Sequence, residues 1–91
     1  MTDEEFEAEL QRAVGMMNSR DERLYWCGYK RGLLRARQGR RFSSNTEHFA
    51  WLELRACDEP LLAELARGYA DALQAVIDGK PRHFQAPGAA S

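Results

Sequence analysis

The sequence predicts an all-α domain of four helices, and three observations carry that expectation. Apolar residues recur at helical spacing in four stretches, capping and stop residues bracket those stretches, and no stretch reads as a strand. The length of 91 residues fits one compact domain over residues 1–79, followed by a mobile tail over 80–91 that holds Pro81, Pro87 and Gly88. A chain of this size buries roughly 60 to 70% of its unfolded surface, which is enough for a small core.

Thr2-Asp3-Glu4-Glu5 places a cap hydroxyl three residues before a carboxylate that reaches back to it, a capping box. Phe6, Leu10, Ala13, Val14 and Met17 then form one stripe, so helix one runs to about Met17. Asn18-Ser19 breaks the pattern, and Asp21 and Glu22 supply the negative charge favoured in a first turn. Helix two is expected from Asp21 to Gln38, with Gly39 as its stop. Residues 40–45, with Ser43-Ser44-Asn45, read as a polar loop, because short polar side chains compete with the backbone for hydrogen bonds.

Helix three is expected from Thr46 to Cys57. Its interior, Phe49-Ala50-Trp51-Leu52-Glu53-Leu54, is apolar on more than one face, which implies that other helices sandwich it. Asp58 is the expected N-cap of helix four, with Pro60 in its first turn. Leu61, Leu65, Tyr69, Ala72, Leu73 and Val76 form its stripe, and Asp78-Gly79 ends it.

Helices two and four share a pattern. Gly28-Tyr29-Lys30-Arg31-Gly32-Leu33 matches Gly68-Tyr69-Ala70-Asp71-Ala72-Leu73 at an offset of 40, and Gly39 matches Gly79 at the same offset. Glycine inside a helix costs about 1 kcal/mol relative to alanine, so its presence calls for a cause. Gly28 and Gly32 share a face, as do Gly68 and Ala72, and the expectation is that these faces cross at short distance as a pseudo-symmetric pair. The segment from Gly28 to Leu33 also resembles ribosome modulation factor, a family of small helical ribosome-binding proteins.

Lys and Arg number 13 against 14 Asp and Glu, a net charge of −1, which excludes a polycationic nucleic-acid coat and a polyanionic DNA mimic. No apolar run approaches the roughly 20 residues of a membrane span, and no secretory pattern opens the chain. A cytoplasmic setting with Cys27 and Cys57 as reduced, buried small hydrophobes is expected.

Chemical motifs are sparse. Glu47 and His48 are adjacent and diverge by about 100° on a helix, so they do not share a site, and His48 reads as an interface or first-turn packing residue. Neither a Cys-x-x-Cys nor a His-x-x-x-His pair is present, and no glycine-rich loop follows a strand. No metal, cofactor or catalytic residue is expected. Tyr25, Tyr29, Tyr69 and Trp51 read as core, with Glu47, Glu53 or Arg55 as hydrogen-bond partners from helix three.

Charge distribution is more informative. Asp3, Glu4, Glu5, Glu7 and Glu9 crowd the N-terminus, while Lys30, Arg31, Arg35, Arg37, Arg40 and Arg41 crowd the end of helix two, which the helix dipole favours in both places. On a helical wheel Trp26, Lys30, Leu34, Arg37 and Arg41 lie opposite the glycine face. They form either a basic stripe anchored by an exposed Trp26 or a core Trp26 with basic neighbours reaching past it. The function expected is a non-enzymatic inhibitor or adaptor, of the kind phages and mobile elements encode, docking on an acidic or phosphate-rich surface of a larger nucleic-acid-handling complex. Direct RNA or DNA binding by the same Arg and Lys cluster is the alternative. Spare apolar surface on helix one or three leaves homodimerisation open.

Overall fold

A computed structural model of the chain describes residues 1–18 and 22–79. These form four α-helices, α1 (Asp3–Met16), α2 (Arg23–Gln38), α3 (Asn45–Glu53) and α4 (Pro60–Asp78). Short 3₁₀ turns, Gly39–Arg41 and Leu54–Ala56, follow α2 and α3. No strand occurs among the described residues, so the domain is all-α. The expected mobile tail at 80–91, and the expected roles of Ser19 and Asp21, lie outside the described residues.

Helix ends follow local chemistry. Thr2 and Glu5 make the capping box in both directions, Thr2 N–H donating to Glu5 Oε1 at 2.7 Å and Glu5 N–H to Thr2 Oγ1 at 3.1 Å. The Thr2 backbone bond holds the Glu5 carboxyl below its usual pKa. Ser44 caps α3 by accepting from Glu47 N–H at 3.2 Å. Helix four begins one residue later than Asp58 would place it: Glu59 is the N-cap, with no side-chain bond, and Pro60 fixes the first turn. Gly39 and Gly79 end α2 and α4 with φ of 60° and 74°, a region closed to most side chains. Helix three is a turn shorter than its pattern, because the chain tightens into the 3₁₀ turn before extended Cys57.

The organising contact is between α2 and α4, the most extensive helix pair in the molecule. A Cβ on Gly28 would overlap the Leu65 carbonyl oxygen and sit 3.1 Å from Tyr69 N. A Cβ on Gly68 would overlap the Tyr25 carbonyl oxygen and sit 3.0 Å from Tyr29 N. The two sets of contacts are reciprocal, since Leu65 and Tyr69 lie 40 positions beyond Tyr25 and Tyr29. At Gly32 a Cβ would overlap the Tyr69 carbonyl oxygen and lie 2.7 Å from Ala72 Cβ. The helices therefore touch backbone to backbone, closer than side chains at the crossing would permit.

This crossing selects what is buried. On α4 the buried residues are Ala66, Gly68, Tyr69, Ala72 and Ala75, a small-residue face; Leu61, expected inside, is 58% exposed. Leu33 and Tyr29 of α2 are fully buried. Helix one covers the other side of α2 with Phe6, Glu9 and Ala13, while Val14, also expected inside, is exposed. Each large apolar side chain so buried contributes about 1.5–3 kcal/mol.

Helix three departs most from expectation. It packs chiefly on α4 and is not sandwiched: none of its residues is fully buried, and Phe49 is 58% exposed. An apolar run on a helix of only 9 residues supplies more faces than the domain has partners to cover. Cys27 and Cys57 are likewise only partly buried. Cys57 Sγ accepts from Glu59 N–H at 3.2 Å, a local turn contact rather than a core one.

Glycine-to-alanine substitution is expected to have opposite effects at the helix crossing and away from it. Gly28→Ala and Gly68→Ala should lower the unfolding free energy by about 2–3 kcal/mol or more in chemical denaturation, because the added methyl group meets a carbonyl oxygen. Gly15→Ala, on an open stretch of α1 with nothing within 4 Å of the added carbon, raises it by about 0.5–1 kcal/mol.

Candidate interaction site

The basic residues of α2 do not form one stripe, because successive positions are spent on different neighbours. Arg31 Nη2 pairs with Glu47 Oε2 of α3 at 2.8 Å, and its guanidinium lies 5.1 Å from the ring centres of both Phe42 and Trp51. Arg35 Nη2 donates to Asn45 Oδ1 at 2.8 Å. These two, one turn apart, tie α3 to α2. Arg37 turns the other way, pairing with Asp3 of α1 and lying 4.8 Å over the Phe6 ring. Such half-exposed pairs are each worth about 0–1 kcal/mol, the ring contacts about 0.5–1 more.

Trp26 is not a surface anchor. It is 2% exposed, set edge-on to Tyr25 and tilted against Tyr29 at ring-centre distances of 5.3 and 5.1 Å, with Arg12 of α1 at 6.0 Å. Its indole N–H donates to Glu22 Oε2 at 3.2 Å. Helix one covers the arc of α2 that the wheel alone leaves open, and it takes Trp26 and Arg37 together. Of the expected surface residues, Arg40 and Arg41 are exposed on the 3₁₀ turn, and Lys30 and Leu34 are partly exposed. Lys30, Arg40 and Arg41 make no ion pair among the described residues.

Tyr29 and Tyr69 are buried as expected and Tyr25 only partly so, and all three find partners that the sequence did not point to. Tyr29 donates to Glu9 Oε2 at 2.6 Å, and Tyr25 to Asp71 Oδ2 at 2.6 Å; burial, then these carboxylates, push both phenols far above their usual pKa. Tyr69 Oη lies 2.6 Å from His48 Nδ1 and its ring stacks on Trp51 at 5.4 Å. Glu9, 4% exposed, and His48 are thus the polar ties of α1 and α3 to the central pair. Glu53 and Arg55 take no part in them.

Outward on α3, Phe49, Leu52, Glu53, Arg55 and Ala56 line an open depression of about 610 Å³. Sequence reasoning passed over this face by placing α3 in the interior; the signal for it was the apolar character of α3 on more than one side. Among the described residues no cluster of three or more His, Cys, Asp or Glu converges as a metal-binding group, and no helix is long and apolar enough to cross a membrane.

Comparison of the chain with family models, with curated proteins and with solved structures finds no match. The short resemblance to ribosome modulation factor therefore does not extend to a family assignment.

Two outcomes follow from this geometry. Trp26→Ala lowers stability by about 3–5 kcal/mol in thermal or chemical melts, the loss of a buried aromatic. Burial, and then the Arg35 guanidinium, hold the His48 imidazole below its usual value of 6.5. Folding thus favours the neutral ring, a contribution complete above about pH 6.5 and lost as the pH falls through the lower folded value. The stability of the native chain relative to His48→Gln should decline from about pH 7.5 to about pH 5.5; a constant difference across that range would contradict it.

Proposed function

We propose that this chain is a non-enzymatic binding protein that acts as an inhibitor or adaptor on a larger nucleic-acid-handling complex, in the cytoplasm, where its two thiols stay reduced. It docks on an acidic or phosphate-rich surface through the end of α2 and the turn after it. The observation that carries this reading is the division of labour among the cations. Arg31, Arg35 and Arg37 are held by α3 and α1, whereas Arg40 and Arg41 are exposed on the 3₁₀ turn, Lys30 and Leu34 of α2 are partly exposed, and Lys30, Arg40 and Arg41 have no ion-pair partner among the described residues.

A surface built this way recognises charge without an aromatic anchor, since Trp26 is in the core. Its partners are steered by electrostatics, with association that weakens as salt rises. The same absence of an anchor favours a second reading, direct contact with an RNA or DNA backbone, for which affinity falls log-linearly with salt.

Affinity capture from a cognate lysate, with and without nuclease, separates the two. A protein retained after nuclease treatment, and reduced about tenfold or more by Arg40→Glu with Arg41→Glu, supports the docking reading. Retention that collapses with nuclease supports direct nucleic-acid binding. Retention indifferent to the double substitution contradicts both.

A further inference from the structure

The exposed face of α3 has a chemistry of its own, separate from the basic end of α2. Phe49, Leu52, Glu53 and Ala56 fall at successive helical spacings and, with Arg55, line one open depression. Its apolar part is formed by Phe49, 58% exposed, with Leu52 and Ala56. One acid and one base border it. Neither Glu53 nor Arg55 forms an ion pair among the described residues, and Arg55 Nε is held against the Leu52 carbonyl at 3.0 Å, which sets the guanidinium beside the depression.

A surface with an apolar centre and a single charge of each sign is poorly matched to a uniformly acidic or basic partner. A second copy of the same face offers it an apolar centre and both charges. In a two-fold association, position i of one copy meets position j of the other and j meets i, so an acid and a base flanking the axis pair twice. We propose that the Phe49, Leu52 and Ala56 face is where two copies of this chain associate about a two-fold axis, with Glu53 of each copy opposite Arg55 of the other. A stable specific interface buries about 800 Å² on each side, more than one short helix and its following turn supply. The dimer is accordingly weak, forming at about 10–100 µM.

Sedimentation of the full chain from about 5 to about 500 µM tests this, with circular dichroism to verify that each variant folds; the substituted side chains are exposed or partly so. The weight-average mass should climb from 10.4 kDa toward twice that value. Phe49→Ser, Glu53→Arg and Arg55→Glu should each weaken association about tenfold or more. An equimolar mixture of the Glu53→Arg and Arg55→Glu chains should recover it, because each contact then joins opposite charges. A chain that stays monomeric throughout, a dimer indifferent to all three substitutions, or a mixture that behaves as the sum of its parts would overturn the proposal. None of these outcomes bears on Arg40 and Arg41, so the docking reading is tested independently.

Discussion

Two helices can approach only as closely as the atoms between them permit, and in this molecule α2 and α4 meet where Gly28, Gly32 and Gly68 remove the intervening side chains. Each glycine weakens its own helix by about 1 kcal/mol, a local cost offset by the contact it opens. With carbonyl oxygens occupying the space that a Cβ would fill at these glycines, the pair gains continuous van der Waals packing. Close approach also fixes the rotation of both helices. Tyr29 and Tyr69, each next to a crossing glycine, are driven to the flanks of the pair, where one hydroxyl meets Glu9 of α1 and the other His48 of α3.

The outer helices are therefore attached rather than central. Helix one brings a real apolar contribution through Phe6 and Ala13, together with a buried carboxylate that costs energy unless its hydrogen bonds are made. Helix three brings no fully buried residue and is held by a ring stack, a tyrosine–histidine bond and two arginines from α2. Arginine suits that duty because its planar guanidinium pairs with a carboxylate at its edge while lying against aromatic rings with its face. What looks in the sequence like one basic patch is thus mostly scaffold: Arg31, Arg35 and Arg37 are tied to α3 and α1, while Lys30 on α2 and Arg40 and Arg41 past its end make no ion pair among the described residues.

Much of this fold is legible in the sequence, and the departures from it have physical causes. Helix existence followed from periodicity and caps, and the Thr2 box, the Pro60 start and the Gly39 and Gly79 stops fall within a residue or two of expectation because each depends only on neighbours in the chain. The Gly-Tyr pattern identified residues that occupy the crossing because glycine in a helix interior has few other causes. Trp26 was ambiguous since a wheel shows which residues share a face but not whether a third helix covers it. The interior place assigned to α3 came from treating apolarity as burial, whereas a small domain runs out of surface to cover a third helix. Tyrosine partners were missed for a related cause: they join elements through rotations that only the α2–α4 contact sets.

The dependence of the outer helices on the central pair is tested most directly by native-state hydrogen exchange. Amides of α2 and α4 around Tyr29 and Tyr69 should exchange only through global unfolding and share one free energy, while those of α3 should exchange through a smaller local opening that leaves the pair intact. Amides of α3 as protected as those of α2 and α4, or an α2 and an α4 that open separately, would contradict a fold organised by their contact.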